Sequence, residues 1–302
     1  MYPYIMANTS FPTSYVGHWT TCYNPEATAI WKCRVSEYPG LPFTFDSDLR
    51  TLSNSGTFIL DTDTINYLSN ITKVELLYGY EYFHVGDIFH YYQDLYNKRV
   101  QSQLSGDKAN SFALKVVLNS LYGKFGQKDE SRVITGYDRV LEESLIEQCV
   151  EYKTNEYFLF YNEEKHQKHA FPIISSLVTL RARLLLRTYS DLVPVVYCDT
   201  DSLHVPIQYE LPTSTDLGAL KLEFSGEGIY IGKKLYSLEE KLVHKGVRKG
   251  SIQKDDYFKM LNGEPVTANF IGFPTVRDIL QLGKKPGILL DKSRTIGITC
   301  EL

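Results

Sequence analysis

No run of apolar residues in the 302-residue chain approaches the roughly 18 needed to cross a bilayer. The N-terminal stretch MYPYIMANTS has neither the basic start nor the apolar core of a secretory signal. On this reading a membrane partner is excluded and an intracellular location is expected. Cysteine is sparse: the five residues stand irregularly at 22, 33, 149, 198 and 300, with no C-x-x-C pair and no histidine cluster beside them. That spacing excludes an ordinary zinc site and gives no disulfide framework. Internal repeats and low-complexity tracts are also lacking. So is a strongly basic balance, because 32 Lys+Arg stand against 36 Asp+Glu for a formal net charge of -4.

What is present is an ordinary globular composition, with 43% hydrophobic and 23% charged residues, in a chain long enough for one to three domains. The 23 tyrosines are an excess that suits ring stacking and boundaries between apolar and polar surface. The net charge hides an asymmetry. The first 220 residues carry 18 Lys+Arg against 26 Asp+Glu, whereas the remainder carries 14 against 10. A phosphate-binding surface is therefore expected in the last third.

Residues 7–70, rich in Thr, Ser, Asn, Pro and Gly, read as a loop-rich β region with short strands such as AIWKCRV and GTFIL. Helical spacing begins near residue 86 in VGDIFHYYQDLYNKRVQSQL and stops at Ser105-Gly106-Asp107. KANSFALKVVLNSLYGKFG then gives a second helix closing near Gly123, and so short a connection makes the two antiparallel. Residues 127–170 are charged and strand-poor at first, then aromatic in EYFLFYN, and read as an inserted lobe with its own hairpin. ISSLVTLRARLLLRTYSDL is a strong helix leading into VVYCDTDSLHVP. The whole predicts a mixed α+β core, followed after residue 220 by a basic lobe.

Two features carry chemistry. Asp199 and Asp201 stand one residue apart between strand-like runs. Taken alone they make an ordinary hairpin tip, since Asp bonds its own nearby backbone; as a pair of hard carboxylates they also suit a divalent cation. On the second helix Lys115, Asn119 and Tyr122 share one face at i, i+4 and i+7, with Leu114, Val117, Leu118 and Leu121 available to cover the packed side. A snorkelling lysine and a terminal asparagine explain two of these equally well. A cation for phosphate beside a flat ring for a sugar or base is also what a nucleotide-binding face requires. Lys98 and Arg99, near the end of the partner helix, add positive charge opposite Lys115.

Taken together the motifs resemble those of family B DNA polymerases. KVVLNSLYGKFG is similar to the K-x-x-x-N-S-x-Y-G segment of the fingers, and YCDTDS to the Y-x-D-T-D-S hairpin of the palm, in the same order. The flavour is that of the protein-primed branch found in bacteriophages, linear plasmids and mitochondrial plasmids. LYNKRV resembles the nucleotide-clamping fingers helix, which implies triphosphate contacts from Lys98 and Arg99 beside Lys115. KKLY resembles the K-x-Y element that steadies the primer terminus, implying Lys234 and Tyr236, and Lys245 in KGVRK is a further DNA-binding candidate. MYP resembles the end of the D-x-x-S-[LM]-Y-P motif, which makes Tyr2 the residue that packs on the incoming sugar and excludes a ribose 2'-OH.

The resemblance implies a right-hand α+β polymerase with an antiparallel palm sheet and two-helix fingers. Residues 1–85 would open the palm and carry a β-rich insertion like the family's first terminal-protein region, and 86–124 would be the fingers. Residues 125–230 would complete the palm, with a second terminal-protein-like insertion at 127–170, and 231–302 would form the thumb. The implied reaction is template-directed DNA synthesis on two Mg²⁺ ions, with Mn²⁺ as a substitute, at Asp201 as the shared ligand and Asp199 as a supporting or alternate one. Implied partners are DNA primer-template, a dNTP, a terminal protein primer and an N-terminal polymerase and exonuclease fragment. The host-cell cytoplasm is the expected location, with mitochondria as the alternative. The family's first catalytic aspartate would precede Met1, so the chain alone is expected not to extend a primer. Two other readings stay open: a non-catalytic DNA- or nucleotide-binding module or half of a split polymerase, and an unrelated Mg²⁺-dependent phosphotransferase or cyclase, which would lack the fingers motif.

Overall fold

A computed structural model describes residues 1–36, 44–45, 52–53, 55–127, 130–136, 150–152, 158–164, 169–272 and 289–296. The chain forms two compact units, residues 1–127 with 167–221 and residues 128–166 with 222–302.

In the first unit, helix α1 (Tyr2–Asn8) carries Pro3 in its opening turn, where the missing N–H would have had no helical partner anyway. Strands β1 (Phe11–Pro12), β2 (Gly17–Thr20), β3 (Ala29–Val35), the short pair β4 (Thr44–Phe45) and β5 (Leu52–Ser53), β6 (Gly56–Asp61), β7 (Val74–Tyr82) and β8 (Val85–Gly86) follow. β2, β7, β3 and β6 lie in that order in an antiparallel sheet. AIWKCRV alternates as a half-buried strand must: Ala29, Trp31, Cys33 and Val35 point into a core with Phe58, Leu60, Ile65 and Leu68, leaving Ile30, Lys32 and Arg34 on the other face. Helix α2 (Thr62–Ser69) starts on Asp61, whose side chain accepts a hydrogen bond from the Thr64 N–H.

Helices α3 (Tyr92–Leu104) and α4 (Lys108–Phe125) form the expected antiparallel pair, with Asp107 capping α4. The first of them begins later than its spacing suggests. Val85 and Gly86 pair with Phe11 and Pro12 as strand, and Phe89 enters the core through a turn that bonds the Tyr92 N–H. On α4, Leu118 is buried as expected, but Val117 is half exposed. Helix α5 (Pro172–Ser190) buries Ile173, Ile174, Leu177, Val178 and Ala182 against Ile5, Met6, Phe11, Phe89, Tyr92 and Leu118. This one core ties α1, α3, α4 and α5 together. The chain then enters the hairpin of β12 (Tyr197–Asp199) and β13 (Ser202–His204).

The second unit holds a three-stranded antiparallel sheet of β9 (Glu130–Gly136), β10 (Val150–Tyr152) and β11 (Phe158–Glu164). β9 falls in a stretch read as strand-poor; its pairing along the whole of β11 supplies the order that its charged composition does not. A meander of β14 (Gly228–Gly232), β15 (Leu235–Leu238) and β16 (Lys241–His244) packs with helix α6 (Lys254–Leu261) and the pair β17 (Val266–Gly272) and β18 (Leu290–Ile296). Ile252, Tyr257, Met260 and Ala268 are its core. Cys22, Cys33 and Cys198 are free thiols, while Cys149 and Cys300 lie outside the described residues. Among the described residues no helix is long and apolar enough to cross a membrane.

Candidate nucleotide and metal site

The two aspartates stand on a two-residue turn. Asp199 pairs with Ser202 across the hairpin, leaving Thr200 and Asp201 at the tip. Thr200 has φ 60°, a left-handed conformation that a β-branched residue adopts only under local constraint. Its Oγ1 donates to Asp199 Oδ1 at 3.0 Å, and Ser202 Oγ donates to the Asp199 carbonyl at 3.0 Å. Asp199 is half-buried and held; Asp201 is exposed. Burial, followed by the two carboxylates, pushes the Cys198 thiol above its usual range.

Close to this turn lie the first residues of α1. The rings of Tyr2 and Tyr122 are 4.5 Å apart at 56°, so α1 meets the face of α4 that carries Lys115 and Asn119. Burial, chiefly, and then Tyr122 push the Tyr2 hydroxyl above its ordinary 10. Arg183 of α5 offsets part of that shift, and Asp201 adds to it. Asp201 also acts on the Met1 amine, whose pKa burial lowers. Tyr2 thus joins the acid-tipped turn to the fingers-like helix. Of the predicted residues, Tyr2 and Tyr122 are in ring contact, Asp201 is near enough to Tyr2 to act on its hydroxyl through its charge, and Lys115 and Asn119 are exposed on the helix that Tyr122 anchors.

Lys98 and Arg99 take different positions. Asn110 Nδ2 donates to Ser102 Oγ at 2.9 Å, which fixes the register of the helix pair and sets Lys98 level with residues 114 and 115. Lys98 is exposed there. Arg99 falls on the stripe of Tyr92, Leu95 and Ser102, and its Nε is buried with no hydrogen-bond partner among the described residues. Arg183 was missed by sequence reading. Three arginines crowd α5, and only the fold shows which of them acts on the Tyr2 hydroxyl through its charge.

In the second unit, the Lys245 N–H donates to the Lys234 carbonyl at 3.0 Å, which puts both lysines at one end of the β14–β16 meander. Lys234 occupies a turn with φ 55°. Tyr236 is only 5% exposed and its ring stacks on Tyr230 at 5.6 Å, so it acts in the sheet as packing.

Carboxylate oxygens on a rigid tip suit a hard divalent cation. Among the described residues there is no group of three or more His, Cys, Asp or Glu able to hold a metal. Two carboxylates still fit Mg²⁺, which is commonly held by one or two of them together with substrate phosphates and water.

The family model for type B DNA polymerases, organellar and viral, matches residues 1–206. The chain belongs to this family. Over 149 residues it is 33% identical to the DNA-directed DNA polymerase of Enterobacteria phage PRD1, a match covering 47% of this chain and 27% of that protein. Its fold is the right-hand polymerase fold. It resembles Phi29 DNA polymerase complexed with primer-template DNA and incoming nucleotide with a TM-score of 0.70 at 17% identity, over 99% of this chain and 56% of that one. The primer-template binary complex of the same enzyme gives 0.66 at 18% identity over the same shares. This type B chain thus spans about half the length of the Phi29 enzyme.

Proposed function

We propose that this type B polymerase chain carries the nucleotide-adding centre of template-directed, protein-primed DNA synthesis. The contact of Tyr2 with Tyr122, beside Asp201, carries the reading. It joins a carboxylate able to hold a cation to a helix face able to hold a triphosphate. Residues 86–124 then serve as fingers, the α1, α5 and β12–β13 region as palm, and residues 231–302 as thumb.

Asp201 is the principal metal ligand and Asp199, steadied by Thr200 and Ser202, the supporting one. A pair of Mg²⁺ ions, when bound, stabilises the attacking 3'-oxygen and the leaving pyrophosphate. Lys115 and Lys98 neutralise triphosphate oxygens, and Arg99 supports them from the packed side. Tyr2 and Tyr122 present the edge against which the sugar and base are seated, with Asn119 beside them. A tyrosine hydroxyl carries its proton at neutral pH in any case, and burial pushes the Tyr2 pKa further up, so the group is available as a hydrogen-bond donor. Lys234 and Lys245 grip duplex phosphates without reading sequence. The substrates are a dNTP and a DNA primer-template, and a terminal protein supplies the priming hydroxyl.

The test is titration of a dNTP, with and without Mg²⁺, into the chain bound to primer-template DNA. Binding should depend on Mg²⁺, lose that dependence in Asp201→Asn, and weaken at least roughly tenfold in Lys115→Ala. Equal binding by parent and both variants overturns the proposal. The second reading, a binding module whose metal site another polypeptide completes, draws support from the absence of a third metal-binding side chain among the described residues. Primer extension in the same mixture separates the two.

A further inference from the structure

The sheet of the first unit has a second face that this chemistry does not use. Opposite the Trp31 core, Trp19 of β2, Tyr78 of β7, Lys32 and Arg34 of β3 and Ile59 of β6 share one side. Trp19 is 69% exposed, Ile59 64% and Tyr78 44%. The aromatic rings are nevertheless held in place. Trp19 meets Tyr78 edge-on at 5.7 Å and Tyr80 at 5.1 Å, and Lys32 Nζ stands 5.7 Å from the centroid of the Tyr78 ring. Arg34 is the next same-face residue along β3, roughly 7 Å on. Beyond it an open depression of about 330 Å³ is lined by Arg34, Thr57, Lys73 and Glu75.

Charge selects among the occupants of such a surface. The first 220 residues are acidic, with 18 Lys+Arg against 26 Asp+Glu, yet among the described residues this strip collects Lys32, Arg34 and Lys73 beside the carboxylate of Glu75, which pairs with Arg34 at 3.4 Å. Protein-docking surfaces are depleted of lysine at their centre. Fixed aromatic rings interleaved with cations are instead the combination that takes unstacked bases and their phosphates. Duplex DNA hides its base faces, so stacking on these rings requires a single strand.

We propose that this sheet face binds single-stranded DNA, with bases on Trp19 and Tyr78 and phosphates on Lys32, Arg34 and Lys73. It is a site separate from the acid-tipped turn and needs no metal.

Trp19 reports on it directly. The chain has two tryptophans, and Trp31 is only 1% exposed. In EDTA, an oligothymidylate of about 12 nucleotides should quench the Trp19 emission of the full chain, with a salt dependence of log K on log salt near −2 for three phosphate contacts. Trp19→Phe should abolish the quench while Trp31 emission persists. Tyr78→Ala should weaken binding about tenfold, and Lys32→Ala should flatten the salt slope by about 0.7. Mg²⁺-dependent dNTP binding should be unchanged in all three variants, which separates this site from the nucleotide centre. The proposal is overturned if Trp19 does not respond to the oligonucleotide, if a duplex of equal length quenches as well, or if Tyr78→Ala and Lys32→Ala bind like the parent.

Discussion

Tyr2 and Tyr122, from the first helix of the chain and the end of the fingers-like helix, face each other with ring centroids 4.5 Å apart. Burial is the main cause that raises the Tyr2 pKa, and Tyr122 adds to it, in smallest part through a side-chain hydrogen bond. The contact has two separable parts, ring against ring and hydroxyl to hydroxyl. Tyr122→Phe keeps the first and should leave Mg²⁺-dependent dNTP binding within about threefold of the parent, whereas Tyr122→Ala removes both and should weaken it about tenfold, as loss of one stacked ring does. If Tyr2 seats the sugar, Tyr2→Ala should also narrow the preference for dNTP over rNTP. Competition binding with the two nucleotides measures this.

The sheet and the palm helix are joined by Arg181. Its Nε lies 2.9 Å from Asp63 and 3.5 Å from the buried Asp61, and its Nη1 donates to the Ser10 carbonyl at 2.8 Å. Burial pushes the Asp61 carboxyl above its ordinary range, and Thr64 and Arg181 offset part of the shift. A raised carboxyl pKa favours the fold at low pH and loses that contribution as pH rises through the folded value, so Asp61 does not add stability by being ionised. Arg181→Ala should cost about 3 kcal/mol, because it leaves a buried charge without its partner. Asp61→Ala should cost about 1 kcal/mol for the lost helix cap, and Asp61→Asn, which keeps the cap, should fall well below that. Urea denaturation of the three variants checks the order.

Much of this architecture was legible in the sequence because its signals are local. AIWKCRV forms the strand expected of it, and its alternate residues are buried. The helix pair and the acid-tipped turn fall where spacing and turn chemistry placed them. What escaped was set by distant contacts. The start of α3 is displaced because residues 85–86 find a strand partner at residues 11–12. Arg99 and Lys98 look equivalent in LYNKRV, but adjacent helical positions diverge by about 100°, and only in the folded helix pair does the half-buried Arg99 turn inward while Lys98 stays exposed. The aromatic face of the sheet was invisible, because Trp19, Lys32 and Tyr78 become neighbours only through strand pairing.

Gly79 lies beneath the Trp31 indole, and a Cβ at that position would come within 2.5 Å of the ring. Trp31 is enclosed by the core and has no room to retreat. Gly79→Ala should therefore destabilise the first unit by about 2 to 3 kcal/mol, at the upper end of ordinary overpacking. A red shift of Trp31 emission in the Trp19→Phe background reports whether the indole has been displaced towards water.

Alkaline pH should open the same unit. Burial pushes the Tyr23 and Tyr82 hydroxyls from 10.0 to about 12 and the Cys33 thiol from 9.0 to about 12. Groups with raised folded-state values contribute stability that is complete below the unfolded values and lost as pH climbs to the folded ones. The denaturation midpoint should hold to about pH 9 and fall between there and about pH 12. Cys33→Val should blunt the early part of that fall, since the thiol is the first of these groups to ionise in the unfolded chain.

The turn that aims Asp201 is itself under tension. Thr200 holds φ 60°, a region in which β-branched residues cost of order 1 to 3 kcal/mol, and its hydroxyl spends its hydrogen bond on Asp199. Asparagine tolerates that backbone and can still reach a neighbouring carboxylate. Thr200→Asn should therefore raise stability by about 1 kcal/mol. If the strain serves to fix the carboxylates for a cation, the same substitution should weaken Mg²⁺-dependent dNTP binding while leaving metal-independent DNA binding intact. A gain in stability with unaltered metal-dependent binding would show that the hairpin alone positions Asp201.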